Sequence, residues 1–82
     1  MLSRLKTEGH VVGAKQTMRA IAGGRVVEVF LAENADPRIT EPVRVLSEEK
    51  SIPVQMVSSM EELGAACSIA VGAAVAAVVS AK

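Results

Sequence analysis

Between Gly13 and Gly24 the chain reads GAKQTMRAIAGG, a short helix closed by two glycines whose first turn carries the wrong charges for its own stability. A helix start usually has Ser, Thr, Asp or Asn as its cap and acidic residues after it, because its first N–H groups are unpaired and its dipole is positive there. Here Gly13 stands at the cap, Lys15 and Gln16 follow, and Arg19 lies one turn beyond Lys15. Lys15 and Arg19 share one face and repel each other, and Lys15 also opposes the dipole. Free N–H groups, a positive helix end and two cations together suit an anion such as a phosphate. Gly13 and Ala14 add no bulk, so a large ligand can approach the backbone. Gln16 carries both a donor and an acceptor, which suits reading a base edge. The plain alternative is that Lys15 and Arg19 form the solvent side of an amphipathic helix, and spacing alone leaves both readings open.

A second stretch is apolar where a connection is usually polar. Ser68-Ile69-Ala70-Val71-Gly72 joins the last helix to the last strand. Loops run over the surface, so Ile69 and Val71 either fold back into the core or serve a partner there. With a basic helix tip beside it, such a loop makes a two-part surface: one part for phosphates and base edges, the other for unstacked nucleobases.

Catalysis finds little support. The sequence offers no Ser-His-Asp set, no Gly-rich phosphate loop and no pair of carboxylates in a plausible cleft. His10, at the start of an apolar strand, reads as a structural histidine, and Cys67, among small apolar neighbours, as a buried filler. Glu48-Glu49 and Glu61-Glu62 read as solvated helix faces. One histidine and one cysteine give too few donors for zinc, so no metal and no cofactor are expected.

The elements that must position these residues follow from the patterning. At 82 residues the chain has room for one domain, taken as residues 1–82. Half of it is hydrophobic, mostly Ala and Val with Phe30 as the one aromatic, so a thin and closely packed core is expected. Net charge is zero but unevenly spread. Residues 1–27 hold Arg4, Lys6, Lys15, Arg19 and Arg25 against Glu8, while residues 28–62 are mostly acidic, which hints at one basic face.

Leu2 to Glu8 reads as a short amphipathic helix, and His10-Val11-Val12 as a brief strand. Ala14, Met18, Ile21 and Ala22 make an apolar stripe on the following helix. RVVEVFLA (25–32) is a buried strand, and Asp36-Pro37 starts a helix running to about Lys50, with a kink or restart expected near Thr40-Glu41 because of Pro42. Ile52 to Val57 is a third strand. Ser58 or Ser59 caps a helix ending near Cys67, and residues 73–80 complete the alternation as a fourth strand. This order predicts an α/β fold, a three-layer α/β/α sandwich around a small four-stranded mixed sheet. The apolar run from Ile69 to Ala81 is too short for a membrane-spanning helix, and nothing resembles a signal peptide, so a cytoplasmic protein without membrane partners is expected.

Gly13-Ala14-Lys15-Gln16-Thr17, Ala32-Glu33-Asn34-Ala35-Asp36-Pro37, Leu63-Gly64 through Ala66-Cys67, and Ile69 to Gly72 together resemble a known family. They are similar to the kink-turn RNA-binding ribosomal proteins, the archaeal L-seven-Ae type and its relatives, and above all to the small bacterial YbxF-type members. The resemblance covers nearly the whole chain. It implies a protein that binds kink-turns, sharply bent RNA duplexes with a bulge followed by sheared G·A pairs. By the same resemblance, the helix tip (Gly13, Lys15, Gln16, Arg19) enters the widened major groove, and the apolar loop (Ile69, Ala70, Val71, Gly72) covers the bulge nucleotides. Archaeal members carry Asn-Glu where this chain has Lys15-Gln16, a form the bacterial members share. Relatives often have Lys at the position of Ala65 and a polar residue at that of Ala70.

The expected function is therefore non-catalytic recognition of kink-turns in ribosomal or regulatory RNA by a monomer, within a ribonucleoprotein and without DNA binding. The rival is a protein-interaction module of the same fold, docking through the apolar 68–72 loop. The substrate domain of a catalytic chain is a third and weaker option.

Overall fold

The computed structural model describes residues 9–80, so the helix expected over residues 2–8 lies outside them. Four strands form one sheet: β1 (His10–Val12), β2 (Val26–Ala32), β3 (Val54–Val57) and β4 (Val75–Val79), in the order β1-β4-β2-β3. β4 runs antiparallel to both neighbours, with His10 opposite Val78 and Leu31 opposite Val75, whereas β2 and β3 are parallel. The sheet is thus mixed, as the sequence predicts. Three helices connect the strands: α1 (Ala14–Ala22), α2 (Pro37–Glu49) and α3 (Met60–Ala66).

Alternation along the strands feeds two cores, one on each face of the sheet. Val29, Leu31, Val75 and Ala77 meet Ile21 of α1 and Val43 of α2. Phe30, Ala32, Ala76 and Val78 meet Leu63, Ala66 and Cys67 at α3. Ala76 and Ala77 on the inner strand allow layers of helix to close tightly over both faces, which is why a chain with one aromatic residue still buries Phe30, Leu31 and Leu63 completely.

The helix ends follow local chemistry. The Asp36 carboxylate accepts the Arg38 N–H at 2.9 Å and Pro37 occupies the first helical position. Asp36 also accepts from the Arg38 guanidinium at 2.8 Å, and these hydrogen bonds hold its carboxyl below the usual carboxylate range. At α3, Ser59 Oγ accepts the Glu62 N–H at 3.1 Å while Ser58 Oγ donates to the Glu62 carboxylate at 2.6 Å. Gly24, at φ +73°, ends α1 in a left-handed turn in which its N–H reaches the Ile21 carbonyl and that of Arg25 the Ala20 carbonyl.

Three expectations are corrected. α2 continues through Pro42 without a restart, because a proline on the exposed side early in the helix removes one hydrogen bond and no packing. The third strand begins at Val54 rather than Ile52, since the Ile52 N–H turns back to the Ser47 carbonyl at 2.8 Å and Pro53 has no N–H to pair. The buried face of α1 is Thr17, Ala20 and Ile21, with Ala14 and Met18 half-buried and Ala22 exposed. Thr17 was hidden from hydrophobic patterning by its hydroxyl.

That hydroxyl is fully buried and has no hydrogen-bond partner, a loss that ordinarily costs about 1–3 kcal/mol. Thr17→Val, which keeps the β-branched shape, is expected to raise the unfolding free energy by about 1 kcal/mol in urea titration. A destabilised variant would mean that the hydroxyl is satisfied after all.

Candidate nucleic-acid interface

The two stretches singled out in the sequence lie toward one end of the sheet, where α1 follows β1 and the 68–72 loop leads toward β4. The Gly13 N–H donates to the Val75 carbonyl at 2.8 Å, joining the cap of α1 to the first residue of β4. The chain leaving the 68–72 loop is tied down nearby, where the Ala32 N–H reaches the Ala74 carbonyl at 3.0 Å. The end of β1 and the start of β4 thus bring the helix tip and the chain leaving the loop to the same end of the sheet, with α1 over one face and α3 over the other.

At the tip, Gly13 takes φ +100°, ψ 149°, which an L side chain rarely adopts, and a Cβ there would meet open space. No side chain caps α1 and no acidic residue stands in its first turn. Lys15, Gln16 and Arg19 are exposed, and among the described residues their side chains have no hydrogen-bond or ion-pair partner. The cations of α2 differ. Arg38 pairs with Asp36, and Arg44 bridges Glu41 and Glu48, with Glu41 held below the usual carboxylate range by the Arg44 guanidinium. Positive charge is therefore neutralised on α2 and left free on α1.

In the loop, Val71 is 70% exposed and Ile69 37%, with Ala70 and Gly72 also exposed. Neither large side chain folds back into the core, which decides the question the sequence left open. Beneath the loop the core is closed by Leu63, Ala66 and Cys67. Cys67 is buried, and its burial pushes the thiol pKa up, as suits a filler rather than a nucleophile. His10 is half-buried in β1.

Two features escaped sequence reading. Asn34 Oδ1 accepts the Met60 N–H at 2.8 Å, so the turn after β2 holds the first residue of α3 at this same end of the sheet. Gly64 lies against the loop with no space for a side chain, a closeness that only the path of the loop reveals. Among the described residues no cluster of His, Cys, Asp or Glu can hold a metal, and no helix is long and apolar enough to cross a membrane. An open apolar groove lies elsewhere, between α1 and α2, lined by Met18, Pro42, Val45 and Leu46 among others. None of the candidate residues lines it.

Comparison with known proteins points the same way. Residues 2–82 match the model of the ribosomal protein L7Ae/L30e/S12e/Gadd45 family. An RNA-binding protein of Geobacillus sp. strain WCH70 is 49% identical over 69 residues, 84% of each chain. The RNA-binding protein YbxF of Geobacillus stearothermophilus is 48% identical over 68 residues, 83% of each chain. Among solved structures, the Giardia lamblia 15.5 kD RNA binding protein superposes with a TM-score of 0.87 at 26% identity, over 96% of this chain and 70% of that one.

The unneutralised tip of α1 makes a prediction about the free protein. Lys15→Glu removes a repulsion with Arg19 and places a carboxylate at the positive end of the dipole, so stability is expected to rise by roughly a few tenths of a kcal/mol. A thermal melt at low salt measures it. A clear loss of stability would show that Lys15 has a structural partner.

Proposed function

The chain belongs to the ribosomal protein L7Ae/L30e/S12e/Gadd45 family, and on that premise we propose that it is a non-catalytic RNA-binding protein that recognises kink-turn structure. The observation that carries this reading is the tip of α1, uncapped and free of acids, with Lys15, Gln16 and Arg19 exposed and unpartnered at the end of the sheet toward which the loop with the exposed Val71 also lies.

The physics of RNA explains why a kinked form is the fitting target. The major groove of an A-form duplex is too narrow for side chains to read. A helix is about 10–12 Å across with its side chains, so it enters that groove only where a bend has opened it. In an opened groove the N–H groups of the first turn and Lys15 face phosphates, and Gln16 reaches base edges. Sheared G·A pairs present edges that Watson–Crick pairs do not. Val71 and Ile69 give aliphatic cover to bases that the bend has unstacked. Stacking on aromatic residues is not part of this mode, since Phe30 is the one aromatic residue and is fully buried.

The rival reading, a module docking a protein through the 68–72 loop, takes its support from the exposure of Val71 alone. Salt separates the two, because phosphate contacts release counterions and hydrophobic docking does not.

The test is a titration against a short kink-turn RNA and the same RNA with its G·A pairs replaced by Watson–Crick pairs. The kink-turn is expected to bind at least tenfold better, about 1.4 kcal/mol. Val71→Asp should weaken binding with the fold intact, and Gln16→Ala should shrink the preference between the two RNAs. Arg19→Ala should weaken both and lower the salt slope by about one unit. Equal affinity of the parent protein for both RNAs overturns the proposal.

A further inference from the structure

Between α3 and the 68–72 loop there is no room for a methyl group. A Cβ on Gly64 would land far inside the van der Waals contact distance of the Val71 carbonyl oxygen and 3.1 Å from both Val71 C and Gly72 Cα. A Cβ on Gly72 would lie 3.1 Å from Met60 Cβ and 3.3 Å from Met60 C. The loop thus rests on the helix backbone to backbone. Hydrogen bonds tie it there: Ser68 N–H to the Ala65 carbonyl at 3.0 Å, Ile69 N–H to Gly64 at 3.1 Å and Ala73 N–H to Met60 at 3.0 Å. Ser68 takes a left-handed φ of 62° to turn the chain back over the helix.

This closeness does not serve to bury the loop, whose large side chains stay outside it. What it does is set a height. Atoms that touch Gly64 are backbone atoms and cannot rotate away, so a side chain at position 64 must lift Val71 bodily from α3. The tip of α1 is fixed independently by the Gly13–Val75 hydrogen bond. A ligand bridging tip and loop therefore meets a separation that Gly64 determines.

We propose that Gly64 is a positioning residue for specificity: without touching RNA, it holds the apolar loop low enough for Val71 to cover unpaired nucleotides while α1 occupies the groove. The inference rests on the kink-turn reading above. Helix propensity alone would favour alanine at position 64, so any harm done by a methyl group there comes from the loop.

Three RNAs make the test: a kink-turn, the same RNA with its bulge nucleotides deleted but its G·A pairs kept, and the Watson–Crick control. Wild-type protein should prefer the bulged over the bulge-deleted RNA by about tenfold. Gly64→Ala should lose most of that preference while keeping its affinity and salt slope on the bulge-deleted RNA. Glu61→Gly, at an exposed position of the same helix that makes none of these bonds to the loop, weakens the helix and should keep the preference. Should Gly64→Ala fail to fold, Gly72→Ala carries the same readout with a smaller loss. An undiminished bulge preference in the folded variant overturns the inference, as does an equal loss on all three RNAs or a wild type indifferent to the bulge. A wild type that does not distinguish G·A from Watson–Crick pairs overturns the functional reading instead.

Discussion

The hydrogen bond from the Gly13 N–H to the Val75 carbonyl, 2.8 Å long, fixes the geometry on which the candidate interface depends. It is made where β1 has ended, α1 has not begun and β4 starts. A residue that must donate backward to a strand while starting a helix forward needs an unusual conformation, and Gly13 supplies it at φ +100°. The cost is a helix start without a side-chain cap. The same choice leaves the first-turn N–H groups open, so the strain of the turn and the readiness to receive an anion have one cause.

Charge follows a similar logic. The chain is neutral overall, yet neutrality is reached locally on α2, where Arg38 and Arg44 are held by acids of their own helix and its cap. Exposed pairs of this kind add little to stability. Their effect is to remove two cations from the long-range field and leave Lys15 and Arg19 as cations at the end of the sheet that carries the loop. A protein with no net charge can in this way still present a basic face.

Much of the fold was legible because the signals were redundant. Asp36-Pro37, Ser59 with Glu62, and Gly23-Gly24 each mark a helix end by more than one mechanism, and all three hold. RVVEVFLA reads as a buried strand, and β2 is buried from Val29 to Ala32 while Val27 is exposed. What misled was reasoning from a single signal. Pro42 predicted a kink or restart, and the restart is absent because one missing N–H on a solvent face does not break a helix whose other bonds survive. Hydrophobicity alone placed Ala22 in the stripe of α1 and left out Thr17. In the candidate site, Lys15, Gln16 and Arg19 were visible as a violation of helix-end chemistry. The exposure of Ile69 and Val71 was not decidable from the sequence, since it depends on how high the loop rides over α3. Gly64 was invisible as a determinant for the same reason: a contact between two backbones leaves no trace in side-chain patterning.

The placement of β4 bears on how the chain is made. β4 is the last described strand in sequence but an inner strand of the sheet, pairing with β1 on one side and β2 on the other. During synthesis the earlier strands and all three described helices leave the ribosome before the strand that joins them. Until it arrives, β1 has no partner, both hydrophobic cores lack their floor, and the parallel β2–β3 pair stands alone with an open edge. Closure then brings His10 to Val78 in one long-range step, for which local structure is no substitute. The loop can settle on α3 through bonds made within residues 60–73, but the seating of Gly13 needs Val75, so the tip of α1 gains its anchor only with the last described strand.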